Sequence, residues 1–262
     1  MYELQNLFCN LESSKTLHFL RYFIGLSYKG TNYHGWQIQP DAISVQEEIS
    51  KAISTILQHE IQLVGAGRTD TGVHAIEMFA HFDTHILLSD EYVYKFNSIL
   101  PNDIVINSIV KVSKNTHARF DAISRTYEYR IYLGRNPFLL DTTWQIHQKQ
   151  IDVKKMNEAA KLLYEYKDFE SFSKVKTDVK TFHCEIMQAE WKIQDLHLTF
   201  YITANRFLRN MVRSIVGTLV EVGTGKKSIE DFRKIIESKK RSEAGVSVPA
   251  RGLFLTNIRY NK

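Results

Sequence analysis

The chain has 262 residues, 44% apolar and 24% charged, which suits a globular protein and excludes an intrinsically disordered one. A chain of this length can bury its core without staples, and the two cysteines, Cys9 and Cys184, form no CxxC pair. A reducing, cytoplasmic setting is therefore expected. The net charge of +5 is uneven: residues 1–120 carry 9 basic and 12 acidic side chains, and residues 121–262 carry 25 and 17. A basic second half suits a polyanion, yet on charge alone an ordinary solvated surface is the better account.

Residues 1–17 read as an extension, without the basic start and long apolar stretch of a signal peptide. No apolar run approaches a membrane span. RYFIGL (21–26) predicts a buried strand, ended by Gly30 and Asn32. Val45, Ile49, Ile53, Ile56 and Leu57 recur at helical spacing in 44–59. Two strands are expected at 61–67 and 77–84. A helix at 89–100 with Ser89 as its cap comes next, then a strand at 103–112. The order β-α-β-β-α-β recurs: a strand at 124–134, a helix capped by Asp152, an antiparallel hairpin turning near Gln194–Asp195, an apolar helix from about Arg206, an added helix at 228–240 and a last strand at 252–260. Two split βαβ units predict an α+β protein of two ferredoxin-like halves, 18–118 and 119–262, with their sheets side by side and a cleft between. With no linker at the boundary near 115–123, one rigid body is expected.

Several apparent motifs fail on inspection. The glycines at 65, 67 and 72 do not form GxGxxG, and GTGKKS (223–228) lacks both the upstream glycine and the hydroxyl residue of a phosphate loop. His81 and His85 stand four apart without a carboxylate at metal-ligand spacing, so they read as solvent-facing strand residues. ATP, NAD and zinc are left without sequence support.

One constellation survives. VGAGRTDTGVHA (64–75) runs from a strand into a loop that concentrates Arg68, Asp70 and His74, with Gly65 and Gly67 expected to permit unusual backbone geometry. An Asp capping a turn beside a surface Arg is the plain alternative. Arg206, Arg209 and Arg213 are spaced to share one face of the apolar helix, with Gly217 continuing it; arginines on so apolar a helix must meet acids, phosphates or a cleft. In SRTYEYRIY, Tyr127 and Tyr129 share one strand face, which reads as core packing or as a platform for an unpaired base.

The segments YKGTNYHGWQ, GAGRTDTGVHA, SRTYEYRIY, FLRNMVRSIVG and VPARGLFL resemble, in this order, the motifs of the TruA family of tRNA pseudouridine synthases, from about Arg21 to the C-terminus. The resemblance implies two ferredoxin-like halves around a central cleft. It also implies a homodimer acting without metal or cofactor on uridines of the tRNA anticodon arm, positions 38–40. By motif position it makes Asp70 the catalytic carboxylate, Tyr127 the ring stacked on the target base, Arg213 the partner of the aspartate and Arg68 a contact to the RNA backbone. Thr71 departs from the alanine usual after the aspartate. The rival from another class is a non-catalytic tRNA clamp or chaperone using the same cleft.

Overall fold

The computed structural model describes residues 19–147, 151–175 and 179–261; the expected extension, with Cys9, lies outside them. The first half runs β1 (Leu20–Tyr28), α1 (Val45–Leu57), β2 (Val64–Gly65), β3 (His74–Thr84), α2 (Glu91–Asn97) and β4 (Ile104–Val112). The second runs β5 (Ala122–Leu133), β6 (Trp144–Ile146), α3 (Val153–Lys161), β7 (Ile186–Gln194), β8 (His197–Ala204), α4 (Met211–Gly223), α5 (Ile229–Ser238) and β9 (Leu253–Tyr260). The short β6, parallel to β5, had no sequence signal.

Side-chain chemistry sets these elements locally. α1 starts where the Ser44 hydroxyl accepts from Glu47 N at 3.3 Å and stops where Gln58 turns left-handed at φ 58°; between them Val45, Ile49, Ile53 and Leu57 are buried. Asp152 caps α3 by accepting from Lys155 N, and Ser228 with Asp231 forms a capping box on α5. α2 departs from expectation: Asp90, not Ser89, precedes it, without a side-chain cap bond.

The nine strands among the described residues join one sheet, whose main order is β4-β1-β3-β9-β5-β8-β7. Each half has the same local arrangement: β2 lies beside β3 as β7 lies beside β8, and β4 beside β1 as β9 beside β5. The halves therefore meet edge to edge, through parallel pairing of β3 with β9 at His74↔Phe254 and Ala75↔Leu255. Two buried clusters form. One packs α1 and α2 on the first half, with Leu255 and Ile258 of β9 added; the other packs α3, α4 and α5 on the second. In α4, Ile215, Val216 and Leu219 are fully buried, each stabilising by about 1.5–3 kcal/mol.

The edge of β3 changes partner along its length. Its far end pairs with β2 at Val64↔His81 and Gly65↔Ala80, and its near end pairs with β9. Between the two, the Glu77 carboxylate accepts from Asn257 Nδ2 and Ile258 N at 3.0 and 2.9 Å, bridging the splayed strands. The loop 66–73 emerges at this gap.

His81 corrects the sequence reading. It is 3% exposed, stacked 5.9 Å from Phe23, and its Nδ1 accepts from Ala118 N at 3.1 Å; only His85 is exposed. Strand alternation alone could not show that the chain between β4 and β5 folds back over this face. Among the described residues no cluster could hold a metal, and no helix is long and apolar enough to cross a membrane.

Candidate active site

The segment after β1 forms the floor under loop 66–73. Trp36 N donates to Thr69 O at 3.2 Å, Gly72 N to Tyr33 O at 3.3 Å, and Val73 N to Asp70 O at 3.1 Å. The Tyr28 and Thr69 hydroxyls share a hydrogen bond of 2.8 Å. Gly35, at φ +91°, lies so close beneath the loop that a Cβ would sit 2.3 Å from Thr69 O. Asp70 is thus held through its backbone and its neighbours, which leaves its carboxylate available.

That carboxylate is 28% exposed and faces two arginines: Arg213 Nη1 at 3.5 Å from Oδ2 and Arg209 Nε at 3.8 Å from Oδ1. These are ion-pair distances, longer than a well-formed charged hydrogen bond. Arg213 is oriented by its Nε, which donates to Val248 O at 2.7 Å, and Val248 N donates back to Arg213 O at 3.3 Å. The closing VPARG segment therefore sets the arginine that meets Asp70.

The expected arginine stripe on one helix face is corrected. α4 begins at Met211, because Asn210 adopts a left-handed conformation at φ 67° and breaks the spiral, so Arg206 and Arg209 precede the helix. Arg209 and Arg213 still converge on Asp70, by loop geometry for the first and helix geometry for the second.

Tyr127 projects from β5 toward the helix side. Its ring meets Phe207 edge-on at 5.1 Å, and burial, aided by the Asp70 charge and opposed by Arg125, pushes its phenol up to about 12. Tyr129 on the same face is fully buried and donates to Pro249 O at 2.8 Å, which makes it core. His74 is 1% exposed: its Nδ1 accepts from Gly30 N, so Nε2 carries the proton and donates to Arg251 O at 3.2 Å. It stacks on Phe254 and clips the two halves together, both ring nitrogens engaged by backbone atoms.

The glycine reading is also corrected. Neither Gly65 nor Gly67 is left-handed; Gly72 is, at φ +78°. Gly65 is small because the Trp36 ring would lie 2.5 Å from a Cβ, and Gly67 faces open space. Arg68 and Thr71 are exposed beside Asp70 in sequence.

A family model described as tRNA pseudouridine synthase matches residues 159–261. A Bacteroides fragilis protein named tRNA pseudouridine synthase A is 53% identical over 92% of this chain and 96% of its own length. A Porphyromonas gingivalis protein of the same name is 52% identical over 92% and 97%, and one from Bacillus licheniformis 38% identical over 90% and 97%. The chain belongs to the tRNA pseudouridine synthase A family. The sequence resemblance is thereby borne out.

Within this family member, Arg125 is a residue that sequence reasoning passed over. Its Nη1 donates to Ala122 O and Asn205 O at 2.8 and 3.0 Å, and its Nη2 to Ala66 O and Arg119 O at 3.1 and 2.7 Å. One half-buried guanidinium thus ties the Asp70 loop to the strand of Tyr127, to the chain leading to Arg209 and to the connector between the halves. The only signal available was an arginine two residues before Tyr127 on the same strand face, with no acid predicted near it.

Proposed function

We propose that this chain converts uridine to pseudouridine in the anticodon arm of tRNA, at positions 38–40, with Asp70 as the catalytic carboxylate. Isomerisation of tRNA uridines is the activity of the family to which it belongs. The observation that carries the assignment of Asp70 is its setting: a partly exposed carboxylate on a loop pinned from below, facing two arginines without being consumed by either.

The reaction breaks the C1′–N1 bond, turns the uracil and joins C5 to C1′; the hydrogen on C5 leaves as a proton and N1 gains one. There is no net redox change, so a carboxylate suffices, as a nucleophile or as a base at the sugar. Arg213 and Arg209 set positive charge beside the carboxylate at 3.5 and 3.8 Å while leaving its lone pairs open to substrate. Reaching the uridine requires it to leave its stack, at a cost of a few kcal/mol. Tyr127 offsets this by stacking on the base, and Arg68 by contacting the RNA backbone. In this reading the halves 18–118 and 119–262 supply Asp70 with Arg68, and Tyr127 with Arg213, respectively. The enzyme works in the cytoplasm as a homodimer.

The test is tritium release from [5-³H]uridine-labelled tRNA by wild type and Asp70→Asn, with no added metal or nucleotide. Release by wild type alone supports the assignment; wild-type rates from the variant, or no release by either, overturn it.

A further inference from the structure

Arg68, set against the RNA backbone above, lines a cleft whose other walls have no role there. The cleft is lined by Trp36, Gln37, Gln46, Gly67, Arg68 and Arg119, among others, between the loop 66–73 and the connector that follows β4. Arg68 and Arg119 are both exposed. Among the described residues neither lies within ion-pair distance of a carboxylate, whereas Arg21, Arg130, Arg209, Arg213 and Arg233 all do. Two guanidiniums without an acidic partner lining one cleft leave positive charge there that a bound anion would neutralise.

The two walls are held in register from inside. Arg125 donates to Ala66 O on one wall and to Arg119 O on the other from the same nitrogen, so the backbones carrying the two arginines share one anchor. The floor is open as well. Gly67 is not left-handed, and a Cβ there would meet nothing within 4 Å, so neither backbone conformation nor internal packing calls for glycine. What its missing side chain leaves is room for a ligand against the backbone. Beside the cleft, Phe120 is 74% exposed with the Arg119 guanidinium carbon 5.7 Å from its ring centre, which offers an aromatic face to an unpaired base.

We infer that Arg119 and Gly67 extend the Arg68 contact into a site for the RNA strand, holding a backbone phosphate of a nucleotide that flanks the target uridine. This rests on the reading of the chain as a tRNA-modifying enzyme. Arg119 and Gly67 then act in binding, Arg119 by charge-assisted hydrogen bonds and Gly67 by leaving space.

The experiment measures binding of fluorescently labelled, unmodified tRNA across a salt series for wild type, Arg119→Gln, Gly67→Val and Lys111→Gln, an exposed control outside the cleft lining. Arg119→Gln is expected to weaken binding roughly tenfold. It should also lower the slope of log Kd against log salt by about 1. Gly67→Val is expected to weaken binding with its melting temperature little changed, since a Cβ there meets nothing within 4 Å. Wild-type affinity in either variant, or an equal slope change in Lys111→Gln, overturns the site. Wild-type protein that releases no tritium from labelled tRNA overturns the enzyme reading instead, so the two failures are distinguishable.

Discussion

β3 is flanked by two aspartate–arginine groups, and they behave differently. At its far end, Asp83 meets Arg21 across paired strands in a two-pronged contact, Nε to Oδ1 at 2.8 Å and Nη2 to Oδ2 at 2.7 Å. Those bonds hold the Asp83 carboxyl below the usual carboxylate range. Just before its near end, Asp70 faces two arginines at 3.5 and 3.8 Å, and the nearer one gives its Nε to Val248 O instead. The same residue types thus make a closed pair in one place and an open carboxylate in the other. A register-paired strand presents both side chains side by side, while a loop pinned through its backbone and the Thr69 hydroxyl lets charge approach Asp70 without hydrogen-bond closure.

The largest expected effect separates the two aspartates. Asp70→Asn lowers turnover by about a thousandfold or more, whereas Asp83→Asn keeps turnover and costs about 1 kcal/mol in denaturant unfolding. Equal activity losses in the two variants would erase the distinction. Next, Arg213→Met removes a charge facing Asp70, and the single-turnover rate should fall roughly a hundredfold. A change confined to melting temperature would make Arg213 a support for Val248 only.

A smaller effect is expected from Tyr127→Phe, which keeps the ring and loses a hydroxyl with no protein partner among the described residues. Turnover should stay within about fivefold, and a severe loss would assign the hydroxyl a part in the reaction.

The mildest test concerns the far end of β3 and is read by pH. Burial, with repulsion from Arg21 and His117 and opposition from Asp83 and Asp121, holds the His81 imidazole down to about 4. Its value in the unfolded chain is about 6.5, so the folded state favours the neutral ring. That stabilisation is complete above about pH 6.5 and is lost as pH falls toward 4, by up to about 3 kcal/mol. Denaturant midpoints at about pH 7.5 and about pH 5 should converge in His81→Asn, whose amide oxygen can still accept from Ala118 N.

The periodicities of α1, α3 and α5 and the alternation of the longer strands were legible in the sequence because each element buries one face of its own, and α4 was legible as an apolar run because it is buried on nearly all sides. Asp70, Tyr127, Arg68 and Arg213 were legible as motif positions because their types and spacing are distinctive over a short stretch. The start of α4 was not, since Asn210 takes a left-handed conformation that composition does not announce. His81 and Arg125 were not, because both are satisfied by backbone atoms far along the chain, Ala118 N for one and Ala66 O and Asn205 O for the other.

The sequence by itself determined the α+β class, the repeated element order and the candidate residues Asp70, Tyr127, Arg68 and Arg213. Tertiary structure decided that one edge of β3 is shared between β2 and β9, that Asp70 emerges where they part, and that Arg209 and Arg213 reach it by separate routes. Local periodicity reports which face of an element is buried. Only long-range strand pairing, set by what each edge finds unoccupied, fixes what that face and the loops beside it meet.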